Sequence, residues 1–151
     1  MSTSSAAIGQ VESAPRPKKP GVRYFNAAIR ILPGLFLVLM GANGLFNFLP
    51  QPDVKMSEGA MAFSMALMKT GYMMQLIAIT HLFVGLCFVT NRFVPLALAV
   101  FAPFMVNSIC FHIFLEHTGL PMASVFLAIE LYLAWVYRDS FRSMLRAKVT
   151  P

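Results

Sequence analysis

The sequence predicts an all-α fold, a polytopic membrane four-helix bundle with one short interfacial helix. Three observations carry that expectation. The chain of 151 residues is 58% hydrophobic and only 12% charged, about half the charged share of a soluble domain. A soluble core that apolar would leave too little polar surface to cover it. Its apolar residues gather in four runs, and a helix of roughly 20 such residues crosses a bilayer. Finally, the basic residues cluster on one side of those runs.

Each element follows in order. Residues 1–22 are rich in Ser, Pro and Lys and are expected to form a disordered, basic cytoplasmic tail. This tail is too long and polar for the first region of a cleaved signal peptide, so the run after it reads as an uncleaved helix. A membrane domain is expected over residues 23–146, with a second short cytoplasmic tail at 147–151. The first span covers about residues 29–49, and Pro50 and Pro52 end it. Next comes an interfacial helix at about 58–70. Ser57 suits its N-cap, Glu58 its first turn, Lys69 its last turn and Gly71 its C-cap. Met56, Ala60, Phe63 and Leu67 share one face, and Met61, Met65 and Met68 widen it. Such a helix lies in the outer interface or covers the bundle. As a lid it would use the adaptability of Met-rich surfaces. The second span is about 71–90 and the third about 93–115, joined by a tight turn at Asn91–Arg92. "EHTGLP" turns the chain into the fourth span, about 120–137, with Pro121 in its first turn.

The net charge of +6 raises nucleic acid binding, and its distribution argues against it. Arg16, Lys18, Lys19, Arg23 and Arg30 precede the first span, Arg92 joins spans two and three, and Arg138, Arg142, Arg146 and Lys148 follow the fourth. Only Lys55 and Lys69 lie on the other side, a bias of ten against two. That is the positive-inside pattern of a multi-pass protein of the bacterial inner membrane with both termini cytoplasmic. The expected surroundings are the lipid bilayer and its anionic headgroups. Cys87 and Cys110 sit near opposite ends of their spans, about 20 Å apart in depth, too far for an intramolecular disulfide.

Polar residues inside the spans mark the candidate site. Helix counting places Asn43, Asn47, His81, Asn107, His112 and Glu130 in one slab, from the midplane to the outer leaflet. Asn43 and Asn47 share a face at a four-residue step. Ser108, His112 and Glu116 make a stripe at the same step, and Glu116 and His117 are expected at the wet outer boundary, tolerant of change. Pro103 can free a carbonyl one turn before Asn107. A carboxylate at mid-bilayer costs about 2.5–3.5 kcal/mol, so Glu130 is expected to face the bundle and meet His81 as a coupled pair. Small residues flank both, Ala123 and Ala134 beside Glu130 and Ala78 and Gly85 beside His81, as at close helix contacts. The structural alternative is an interhelical hydrogen-bond network with a packing role. The two histidines differ in depth by about 10 Å, which suits one haem iron poorly, and zinc wants more ligands than converge here. No metal site and no catalytic motif is expected.

Five segments, "NGLFNFLP", "AFSMALMKTGY", "TNRFVPLALAVFAPFMVN", "FHIFLEHTGLP" and "IELYLAWVYRD", resemble the DoxX-like family of small four-helix membrane proteins. The resemblance covers about residues 24–145. It implies association with membrane redox systems, since the family name attaches to proteins that include thiosulfate:quinone oxidoreductase subunits. Many relatives carry an acidic residue midway along helix two, where this chain has His81. A role resting on that carboxylate does not carry over. Three readings stand open. The first is a non-catalytic membrane component accessory to a redox or stress-response system. The second is a quinone-binding subunit of a membrane oxidoreductase, working with a soluble or membrane redox partner. The third is proton-linked transport of a small solute, for which four short helices call for a homo-oligomer.

Overall fold

A computed structural model describes residues 20–50 and 55–141. Residues 1–19 of the tail expected at 1–22, the expected tail at 147–151, the segment around Pro52, and the basic residues Arg16, Lys18, Lys19, Arg142, Arg146 and Lys148 lie outside the described residues.

Among the described residues six α-helices follow one another: α1 (Pro20–Phe46), α2 (Glu58–Lys69), α3 (Met73–Thr90), α4 (Val94–Phe114), α5 (Leu120–Val136) and α6 (Arg138–Phe141). A 3₁₀ turn, His117–Gly119, joins α4 to α5. Four segments among the described residues are long and apolar enough to cross a membrane: α1, α3, α4, and α5 together with its leading 3₁₀ turn. Lipid offers the backbone no partners, so such segments satisfy it internally as helices. Leu76, Ile79, Phe83 and Leu86 on α3, and Val106, Ile113 and Phe114 on α4, stand exposed on the outside, where the tails of a bilayer would cover them.

The four long helices close a ring in which α1 packs on α3, α3 on α4, α4 on α5, and α5 on α1. The contact of α1 with α3 is the most extensive, and glycine is the reason. A Cβ on Gly41 would lie 2.6 Å from the Leu82 nitrogen and 2.7 Å from the Ala78 oxygen. A Cβ on Gly85 would lie 2.7 Å from the Gly34 oxygen and 2.7 Å from the Val38 nitrogen. Only missing side chains let two backbones approach this closely. The small residues beside His81, Ala78 and Gly85, therefore serve α1.

Some boundaries depart from the sequence expectation. The first helix begins at Pro20, within the segment expected to be tail. Its first turns are held by α5: Tyr132 Oη donates to Asn26 Oδ1 at 2.6 Å, and the Phe25 and Tyr132 rings meet edge to face at 6.0 Å. The same helix ends at Phe46, before the prolines expected to stop it. Asn47 adopts a left-handed φ of 50°, its N–H returns to the Asn43 oxygen at 2.7 Å, and Asn43 Oδ1 accepts from the Leu49 N–H at 2.8 Å. Asparagine tolerates this conformation and substitutes its side chain for backbone partners. The end of α2 is capped by Thr70, and Gly71 follows with φ of 77°, the left-handed position at which glycine ends helices.

Arg30 lies well inside α1. It is only 8% exposed, and its Nη1 donates to the carbonyl oxygens of Phe88 and Val89. Those carbonyls belong to the last turn of α3, where a helix leaves its oxygens unpaired and its dipole favours a cation.

Candidate functional site

A cavity of about 270 Å³ lies inside the ring, in the half of the bundle that bears α2. Each long helix contributes to its wall. His81 comes from the middle of α3, Phe101, Phe104, Ser108 and His112 from one face of α4, and Ala123 and Phe126 from α5. From α1 come Phe36 and Leu37. The α4 residues follow helical spacing, so one face presents two rings, a hydroxyl and an imidazole in succession. Phe36 and Met122, both exposed on the outer surface of the bundle, also line the cavity. It is therefore reachable from the lipid side, between α1 and α5.

The two imidazoles are held alike. His81 Nδ1 is 2.7 Å from the Ile77 carbonyl oxygen, and His112 Nδ1 is 2.8 Å from the Glu116 carbonyl oxygen. A carbonyl only accepts, so each Nδ1 carries the proton and Nε2 of the neutral ring is a free acceptor. Neither Nε2 makes a hydrogen bond among the described residues. His81 is also braced by the edge-to-face rings of Phe104 at 4.5 Å and Phe101 at 5.8 Å. His112 rests on Gly119, where a Cβ would come within 2.1 Å of its ring. The position must be glycine for the imidazole to lie there.

Of the residues singled out in the sequence, the structure brings together His81 and His112. Asn107 lines a neighbouring groove of about 210 Å³ beneath α2, which shares Phe104 and Ser108 with the cavity. Asn43 and Asn47 are occupied in ending α1. Glu130 is 7% exposed and its Oε1 has no hydrogen-bond partner. It lies in the core but is not among the cavity's lining residues. No hydrogen bond or ion pair joins it to His81 among the described residues. Both cysteines are free, Cys87 buried and Cys110 exposed.

Glu116 is more than a wet boundary residue. The α4 helix stops at Phe114 and Glu116 is extended, with φ of −146°. Its Oε2 accepts the Ser57 N–H at 2.8 Å, and Ser57 Oγ donates to the Leu115 carbonyl. The residue that caps α2 is thereby tied to the turn between α4 and α5. The Ser57 N–H, with help from the Thr118 hydroxyl, holds the Glu116 carboxyl below the usual glutamate range. Along α2, Ala60, Phe63 and Leu67 turn inward as their spacing requires, with Phe63 on Phe111 at 5.5 Å. Met61, Met65 and Met68 stand exposed.

The aromatic wall of Phe36, Phe101, Phe104 and Phe126 was not foreseen in the sequence. Its signal was there, since Phe101, Phe104, Ser108 and His112 fall at steps of three and four. A family model described as DoxX matches residues 25–117, more than half of the chain. The chain belongs to the DoxX family. The match spans α1 to the turn after α4, and so includes both histidines, while α5 of this DoxX protein lies beyond it. No curated protein and no solved structure matches the chain.

Proposed function

We propose that this DoxX protein is a non-catalytic membrane component accessory to a redox system, and that its cavity holds the ring of a quinol. The supporting observation is the matched pair of histidines on one apolar cavity, each with Nδ1 tied to a carbonyl and Nε2 left as an acceptor. Two acceptors between aromatic walls suit a flat ring bearing hydroxyl donors, which is the reduced form of a quinone. The phenylalanines supply faces and edges for ring contact. A volume of about 270 Å³ lies just below the usual range of ligand pockets, roughly 300–1,000 Å³, and so fits one ring rather than a macrocycle. Entry between α1 and α5 suits a ligand dissolved in the bilayer. Oxidation of the bound ring is assigned to a partner protein, soluble or membrane-bound.

The same reading places the chain in the bacterial inner membrane with both termini in the cytoplasm. It rests on Arg23, Arg30, Arg92 and Arg138 lying at one end of the bundle and Lys55 and Lys69 at the other.

Binding is the direct test. Protein in a neutral detergent is titrated with a short-tailed benzoquinol and with the corresponding quinone. Saturable binding that favours the quinol is expected. His81→Phe or His112→Phe should each weaken it roughly fivefold to tenfold, the worth of one hydrogen bond. Absence of saturable binding, or equal binding by both variants and the parent, would remove this reading.

A further inference from the structure

A second recess lies at the opposite, arginine-bearing end of the bundle and has a different chemistry. It measures about 330 Å³ and is lined by Arg23, Asn26 and Arg30 of α1, Asn91 after α3, and Tyr137 after α5. Among the described residues, no Asp or Glu lines it. The nearest acid in sequence, Asp139, lies two residues past Tyr137.

The hydrogen bonds at its rim leave mostly donors facing the space. Tyr132 Oη donates to Asn26 Oδ1 at 2.6 Å, and Tyr137 Oη donates to Asn91 Oδ1 at 2.7 Å. With both amide oxygens engaged, the unshared group of each asparagine is its NH₂. Arg30 uses Nη1 on the α3 carbonyls, and its other guanidinium nitrogens make no hydrogen bond among the described residues. Arg23 is exposed and, among the described residues, has no hydrogen bond or ion pair. Two guanidinium groups and two amide donors thus converge on one space, and among the described residues no carboxylate lines it to neutralise them. Arginine forks and amide N–H groups are the donors that recognise phosphate oxygens.

We propose that this recess binds the phosphate group of an anion, independently of the histidine cavity. The recess sits at the end of the spans, the depth at which a phospholipid carries its phosphate. A lipid headgroup and a free phosphate present the same chemistry, and the experiment separates them.

Full-length protein in a neutral detergent is unfolded by heat with added phosphatidylglycerol, phosphatidylcholine or inorganic phosphate. Phosphatidylglycerol should raise the midpoint in a saturable way, and net-neutral phosphatidylcholine should not. Stabilisation by inorganic phosphate as well would show that the phosphate alone suffices. Stabilisation by the lipid only would show that the headgroup must arrive with its tails. Arg23→Gln removes one charged donor and should raise the lipid concentration required about tenfold. Asn91→Asp keeps an acceptor for Tyr137, and aspartate tolerates the left-handed φ of 57° at that position. It replaces the donor by a negative charge and should weaken binding at least as much. Arg138 is the control, because its guanidinium lies over the Trp135 ring at 5.0 Å and it does not line the recess. Arg138→Gln should leave lipid binding unchanged. Equal stabilisation by both lipids would overturn the proposal. So would a loss in Arg138→Gln matching that in Arg23→Gln, since diffuse attraction to the basic end would then explain the binding.

Discussion

The two sides of α1 are built on opposite rules. Towards α3 it presents Gly34 and Gly41, and the backbones approach until no Cβ fits. Towards α5 it presents Phe36, whose ring meets Phe126 at 5.4 Å, and a cavity opens between the large side chains. Small residues make a seam with no slack. Large rings cannot fill the space between four helices and leave a hole. In lipid, helix association depends on packing rather than on the hydrophobic effect, so the seam is where this bundle gains its cohesion. The ringed side is where it can give room to a ligand.

The sharpest way to break this contrast is to enlarge a residue on each side. Gly85→Leu forces a side chain against the Gly34 oxygen and the Val38 nitrogen, both backbone atoms that cannot turn aside. Overpacking usually costs about 1–3 kcal/mol and occasionally more, and a loss of about 3 kcal/mol or more is expected here. Ala123→Leu adds similar bulk to the cavity wall, where there is space. It should be neutral or raise stability by about 1 kcal/mol, while abolishing quinol binding. Thermal unfolding in detergent reads both. Equal losses from the two changes would mean that the two sides do not differ.

How far the sequence reveals this contrast depends on what decides each feature. The four long helices are written in composition, because length and apolarity alone force a helix in lipid. The short helix α2 is written in its ends, Ser57, Glu58 and Lys69. Facing is another matter. Helices α3, α4 and α5 are apolar on every side, so no amphipathic stripe reports which residues turn inward. The small residues flanking His81 suggested a close approach to Glu130, yet Ala78 and Gly85 serve the seam with α1. Asn43 and Asn47 read as intramembrane polar groups, but their side-chain and backbone bonds end α1. A residue type says what it can bind, and its neighbours in three dimensions decide what it does bind. Arg30 is a case in point. In the sequence it counts as one more cation before a span, and only the end of α3 beside it shows why it is buried.

A smaller effect tests whether the ringed side contains a coupled pair. His81 bonds to its own helix and meets phenylalanine rings edge to face, whereas Glu130 Oε1 has no partner. With no shared hydrogen bond or ion pair, His81→Leu and Glu130→Gln should be additive within about 0.5 kcal/mol in a double-mutant cycle. Glu130→Gln alone should not destabilise, because the amide keeps the shape of the carboxyl and replaces a buried ionisable group whose Oε1 has no partner to lose. A coupling energy well above that limit would place the two groups in one network and would revive proton exchange between them.

The smallest expected effect concerns the edge of the ringed side, where Glu116 holds α2 through Ser57. The carboxylate accepts the Ser57 N–H and the Thr118 hydroxyl, and both bonds favour its charged form. Its folded-state pKa is therefore lowered relative to the unfolded chain. A group shifted this way contributes stability above its unfolded value, about 4.3, and that contribution is lost as pH falls through the lower folded value. Near neutral pH the tie is fully formed. In Glu116→Gln the amide oxygen can still accept from Ser57, but the bond lacks charge and its strength does not change with acid. The parent should therefore be the more stable near pH 7, and its advantage should shrink below about pH 4. Heat-unfolding midpoints of the two proteins, taken side by side from pH 7 to pH 3, measure the difference directly. The effect should be modest, because Glu116 is partly open to solvent and water screens the bond. Glu58, in the first turn of α2, is exposed, and Glu58→Gln should not reproduce the pH-dependent gap. A gap that stays constant down to pH 3 would mean that the charge on Glu116 does not hold α2 in place.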